Sequence, residues 1–138
     1  MVAFTKYQDT VEQFLRGTHN LIAAGNVVKA AIHSDAPVVA TDDELADLTQ
    51  VTGTGYTAGG EDIQNDMSES SGTATVTGVD VVWTAGAADW VAGRYAAIHN
   101  DTSTTDKLLG DWDYGSNFTL GNGETFTLDF GASVFTVA

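Results

Sequence analysis

The 138-residue chain contains no cysteine, which removes disulfides, zinc–thiolate centres and cysteine nucleophiles together. It has one proline, Pro37, and five lysines and arginines against nineteen aspartates and glutamates, for a formal charge of −14. The five cations, Lys6, Arg16, Lys29, Arg94 and Lys107, are scattered along the chain. No stretch concentrates the positive charge that phosphate neutralisation requires, so the sequence argues against direct nucleic-acid binding. Long apolar runs are missing as well. None approaches the ~20 residues of a membrane span, and the opening MVAFTKYQDTVEQFLRG lacks the apolar segment of a secretory signal. The expectation is a protein made and folded in a cytoplasm, without membrane contact. Its acidity reads as a solvated surface that keeps the chain dispersed and discourages chance association.

What remains is one domain's worth of chain. Residues 1–25 read as an N-terminal arm with one amphipathic helix. Tyr7, Val11 and Phe14 fall at i, i+4 and i+7, a single apolar stripe. Thr5 and Gln8 have the spacing of a capping box, and Gly17 or Gly25 can end the helix. The stripe must lie on this domain's own sheet or on a neighbouring subunit. Residues 26–138 read as a single β-sandwich domain. Val27 to Ile32 has strand length, whereas Asp35 to Thr54 is polar and acidic, with Thr41–Asp42–Asp43–Glu44 able to start a short helical turn. The stretch at about 51–71 is rich in Gly, Thr, Ser and carboxylates and reads as a long surface excursion, a kind of loop that is usually functional or ordered by a partner.

Strand signals then dominate. TATVTG and VDVVWT alternate, with Gly78 between them marking a bulge or redirection. Trp90 to His99 is apolar on both faces apart from Arg94, the pattern of a central strand. Lys107 to Trp112 forms another, and SVFTVA a last one. Phe118 and Leu120 share a face, as do Phe126, Leu128 and Phe130. The Asn122–Gly123 pair between them tolerates the positive φ of a tight hairpin. The fold class expected is mainly β: an antiparallel β-sandwich or barrel-like domain with one N-terminal amphipathic helix.

The sequence offers no catalytic signature: it has no G-x-x-x-x-G-K-[ST], G-x-S-x-G or H-E-x-x-H. His19, His33 and His99 are far apart and read as surface or satisfied core residues. Asp111 and Asp113 begin a calcium-loop spacing, and on a strand both carboxylates share one face with Trp112 on the other. An EF-hand-type loop needs a bidentate Glu at its twelfth position, where this chain has Asn122. The favoured reading buries Trp112 and leaves Asp111 and Asp113 exposed, with no metal, cofactor or catalytic residue assigned.

LADLTQVTGTGYTAGG (residues 45–60), VVWTA, RYAAIHND, LLGDWDYG and GETFTLDF, with the opening FTKYQDTVEQFLRGTHNL, resemble small proteins encoded among the structural genes of tailed bacteriophages and prophages. The resemblance covers most of the chain and rests on turn and core signatures. It implies a non-enzymatic virion structural protein. Small acidic β-domains suit a head decoration, or cement, protein on the capsid exterior, binding the major capsid protein and itself as a homotrimer. Two alternatives stand beside it: a tail, neck or fibre-knob accessory, and a calcium-dependent carbohydrate-binding module using Tyr56, Trp90 and Tyr114.

Overall fold

The computed structural model describes residues 3–138. The protein is mainly β, with antiparallel sheets and one short helix near the N-terminus. In chain order the elements are β1 (Thr5–Lys6), α1 (Asp9–Leu15), β2 (Val28–His33), β3 (Glu61–Asp62), β4 (Asp66–Ser70), β5 (Thr73–Thr77), β6 (Val81–Thr84), β7 (Gly93–Asn100), β8 (Lys107–Phe118), β9 (Thr125–Leu128) and β10 (Phe135–Val137). They form a five-stranded sheet ordered β1-β8-β7-β2-β3, a three-stranded sheet ordered β10-β5-β4, and the pair β6-β9.

The middle strand of the large sheet, β7, is the one whose residues are apolar on both sides, and both of its faces are covered. On one face Val28, Ala30, Ile32, Ala96, Ile98, Leu109 and Trp112 meet Val76, Trp83, Phe126, Leu128, Phe130 and Val134 in the main core. On the other, Ala31, Ala97 and Leu108 pack with Tyr7, Leu45 and Leu48. The chain from 38 to 50 makes this second layer. It is held by the amide of Gln8 donating to the Val39 carbonyl at 2.9 Å and that of Leu108 donating to the Asp43 carbonyl at 2.9 Å. A short 3₁₀ turn at Leu45–Asp47 sits there, with a capping box between Glu44 and Asp47. The short helical turn that 41–44 can start does form there, with Glu44 as its N-cap.

Three expectations need correction. Thr5 does not cap the helix: it pairs with Asp111 as part of β1, and α1 starts at Asp9 behind Gln8 with no side-chain cap. The 51–71 stretch lies largely at the surface, but it is anchored and carries strands rather than looping free of the sheets. Val51 and Ile63 are buried, β3 adds to the edge of the large sheet, and β4 pairs with β5. Its polar residues face outward between a few buried anchors, a pattern that composition averages away. Finally, the runs on either side of Asn122–Gly123 do not pair with each other. The turn forms, with Gly123 at φ 83°, but β9 pairs with β6 from Val81↔Leu128 to Thr84↔Thr125. The ladder continues where the amide of Ala85 donates to the Glu124 carbonyl at 2.9 Å. The turn dictates a reversal of the chain, not which strand receives the hydrogen bonds. Phe118 and Phe126 still meet, ring on ring at 4.3 Å.

One backbone position carries a sharp constraint. Gly60 has φ +75°, and a Cβ there would run into the carbonyl of Ala30 in β2. Neighbouring Gly59 has φ +91° with open space around it. Gly60→Ala is expected to cost roughly 2–4 kcal/mol in a urea titration, and Gly59→Ala about 1 kcal/mol. Equal losses would mean that strain alone, not the approach to β2, sets the preference for glycine.

Candidate functional site

Two places concentrate features that a fold alone does not require. The first is the outer side of α1. A seven-residue helix cannot hold itself in water, so its docking face should be apolar. Here it is polar. Thr10 and Gln13 are buried while Val11 is 47% and Leu15 86% exposed. The Thr10 hydroxyl lies 3.1 and 3.0 Å from the carbonyls of Leu108 and Leu109 on β8. Gln13 is tied to Asp9 at 3.2 Å and accepts from the Thr18 hydroxyl at 2.8 Å. The apolar stripe read from the sequence is consequently divided. Tyr7 is buried, Phe14 lies between, against Phe135 and His19, and Val11 faces out beside Leu15.

Beside that face lies β10, which among the described residues pairs only with β5 and so leaves one edge free. Lys6, Val11, Phe14, Leu15, Thr136 and Val137 line a groove of about 420 Å³ between helix and strand. A smaller hollow of about 250 Å³ adjoins it, reaching Phe4 and Phe135. The groove side chains are apolar except for Lys6 and Thr136. Lys6 and nearby Arg16, which pairs with Glu12, are two of the chain's five cations. No Asp or Glu side chain is among the groove's lining residues.

The second place is beneath the 38–50 layer. Asp111, Trp112 and Asp113 alternate as expected, with Trp112 in the main core. The exposure assigned to the two carboxylates is overturned for Asp111, which is 2% exposed. Its Oδ2 accepts the Tyr7 hydroxyl at 2.8 Å and lies 2.6 Å from His33 Nε2. His33 Nδ1 is 3.3 Å from Asp35, and its ring stacks on Tyr95 at 5.2 Å. The face was read as solvated because nothing in the local pattern announces that Tyr7 and residues 38–50 return to cover it. Asp113, half-buried, forms a two-point pair with Arg94 at 2.9 and 3.0 Å. Both carboxylates are thus committed to protein partners. Millimolar calcium is expected to leave Trp112 fluorescence unchanged; a saturable change would restore a cation role to this pair.

Burial alone would lower the His33 pKa, but the hydrogen bonds and charge of Asp111 and Asp35 outweigh it and raise it. Burial also pushes the Asp111 carboxyl up, against the pull of His33 and Tyr7. The Tyr7 hydroxyl is pushed well above the ordinary phenol range by burial and by the Asp111 charge. The His33–Asp111 pair therefore keeps its proton into a range where a free imidazole is neutral. It acts as a clasp joining β2, β8 and the segment before α1.

The remaining histidines are core residues. His19 takes a hydrogen bond from Asn100 at 3.1 Å, and burial lowers its pKa to about 4. A depressed folded pKa contributes stability that is complete above the unfolded value near 6.5 and lost as pH falls toward 4. Acidification from pH 7 to 4.5 should thus cost on the order of 3 kcal/mol through this residue. His19→Gln should flatten that part of the melting-temperature profile, and an unchanged slope would assign the loss to other groups. His99 is fully buried at the end of β7. Of the three aromatics weighed for sugar binding, Tyr56 and Trp90 are engaged internally. They form an edge contact at 5.6 Å, Tyr56 donates to Gln50 at 3.0 Å, and the Trp90 indole donates to the Thr54 carbonyl at 2.9 Å. Tyr114 alone of the three is exposed. The groove was legible in part, since the apolar stripe was visible; its inversion was not, because Thr10 gives no sign in sequence that it will bond two β8 carbonyls. Compared with protein-family models, curated proteins and solved structures, the chain has no significant match.

Proposed function

We propose that this is a non-enzymatic structural protein of a tailed-phage particle, a head decoration protein that self-associates through the α1–β10 groove and binds the outer surface of the capsid. The observation that carries the reading is the inverted helix. Its polar side is turned to the chain's own fold and its apolar side is presented, next to a strand edge that is unpaired among the described residues, in a groove lined by no Asp or Glu side chain. A protein of charge −14 can meet a copy of itself closely only where carboxylates are sparse. The groove meets that condition, and a free edge can add main-chain hydrogen bonds to the apolar contact. Subunits so joined can bridge several capsid subunits, and separating those requires many contacts to break together. The resemblance to phage structural proteins supplies the setting, and the acidic surface suits the capsid exterior rather than a DNA-facing lining.

Light scattering measures the native mass directly. A value near three times the 14.4 kDa chain mass, with co-sedimentation on undecorated capsids, is the expected result. A monomer that also fails to co-sediment with capsids sinks the proposal.

A further inference from the structure

The loop between β7 and β8 is built for rigidity. Asn100, fully buried, accepts the amides of Thr102 and Ser103 through its side-chain oxygen at 3.1 and 3.3 Å. The Ser103 hydroxyl donates to the Asn100 carbonyl at 2.7 Å and accepts the Lys107 amide at 2.8 Å. Within this frame, one ligand atom each from His99, Asp101 and Asp106 lie within 4.8 Å of one another. Two carboxylates on an acidic surface would mean little by themselves. The third member differs. His99 is 0% exposed; its Nε2 is 2.9 Å from the Gly59 carbonyl, and its Nδ1 has no hydrogen-bond partner among the described residues.

A carbonyl can only accept, so Nε2 carries the proton and Nδ1 the lone pair. A backbone carbonyl on one ring nitrogen, fixing the tautomer and aiming the other, is how metal-bound histidines are held. A buried, unsatisfied acceptor is costly unless something fills it. We propose that His99 Nδ1, Asp101 and Asp106 bind one divalent transition-metal ion, of which Zn²⁺ fits best. One imidazole and two carboxylates make a three-ligand set on which Zn²⁺ would complete its coordination with water. Ca²⁺ and Mg²⁺ favour all-oxygen shells of higher coordination number. Lys29 is the internal competitor, its Nζ lying 3.0 Å from one Asp101 oxygen. The ion would join the end of β7, the loop before β8 and, through His99, the Gly59 turn. This site is separate from the α1–β10 groove and does not depend on the proposed assembly role.

The test uses the full chain, stripped with a chelator and titrated calorimetrically with Zn²⁺ alone. One ion per chain at micromolar affinity or tighter is expected. His99 is too buried to replace safely, so the variants are Asp106→Asn, which keeps a side chain that tolerates the φ of 52° at this position, and Lys29→Met. Asp106→Asn should weaken binding ~10-fold or more, while Lys29→Met, by freeing Asp101, should tighten it. Circular dichroism of both variants checks the fold. In a proton–nitrogen correlation of the imidazoles, Zn²⁺ should shift the Nδ1 signal of His99. Absence of saturable binding, unchanged affinity in Asp106→Asn, an unmoved His99 signal or equal affinity for Ca²⁺ would each overturn the proposal, the second by reducing the ion to an adventitious guest of the acidic surface.

Discussion

Asp111→Ala is expected to be the most destabilising single substitution among those considered, at about 3–5 kcal/mol, the usual cost of removing one partner from a buried charged pair. For a chain of this length that is a fall in melting temperature of roughly 10–20 °C. The loss is large because two groups are orphaned together. His33 Nε2 and the Tyr7 hydroxyl both end on Asp111 Oδ2, and neither can turn to water beneath the 38–50 layer. Asp113→Ala, two residues away, removes a half-buried partner of Arg94 and should move the melting temperature far less. Comparable losses at the two positions would mean that the cover over Asp111 is open to solvent.

The same clasp predicts a pH signature. A histidine whose folded pKa is raised contributes stability that is complete below its unfolded value near 6.5 and lost as pH rises through the folded value. The groups facing His33 are Asp111, Asp35 and Tyr95, and the two carboxylates set the sign. The melting temperature should fall as pH rises above about 6.5, and this fall should shrink in Asp111→Asn, which keeps the shape and loses the charge. A variant profile parallel to the parent's would show that His33 is neutral in the folded protein.

Leu15→Asp should have the largest effect on assembly. At 86% exposure the side chain contributes little to the folded monomer, so the melting temperature should hold. Covered by a second copy, each leucine contributes roughly 2 kcal/mol of burial, and an aspartate would add an unpaired, desolvated charge. Repeated at each contact of a trimer, this should return the native mass to that of a single 14.4 kDa chain. Val82→Asp is the control, since Val82 is 56% exposed on β6 but does not line the groove. Dissociation by both substitutions would make added charge, not the groove, responsible. An associated Leu15→Asp protein would remove the groove from the interface.

Local chemistry was sufficient for much of this molecule. Alternation in TATVTG and VVWT, the two-sided apolar run before His99, and the turn at Asn122–Gly123 all concern neighbours within a few residues, where side-chain period and backbone preference decide the outcome. The sequence by itself therefore determined a mainly antiparallel β-protein, its central strand, and the acidity that constrains its partners. Tertiary structure decided what covers each face. Asp111 looks identical to Asp113 along the strand, yet Tyr7, 104 residues away, and His33, 78 residues away, make one a buried clasp and leave the other a half-buried partner of Arg94. Thr10 came to lie on the docking side of α1 because two carbonyls of β8 were waiting for a donor. His99 acquired its free nitrogen only when the Gly59 turn arrived at the other. Each of these outcomes rests on a polar group finding its partner across the chain, and a hydrogen bond between residues that distant has no period for a sequence to display.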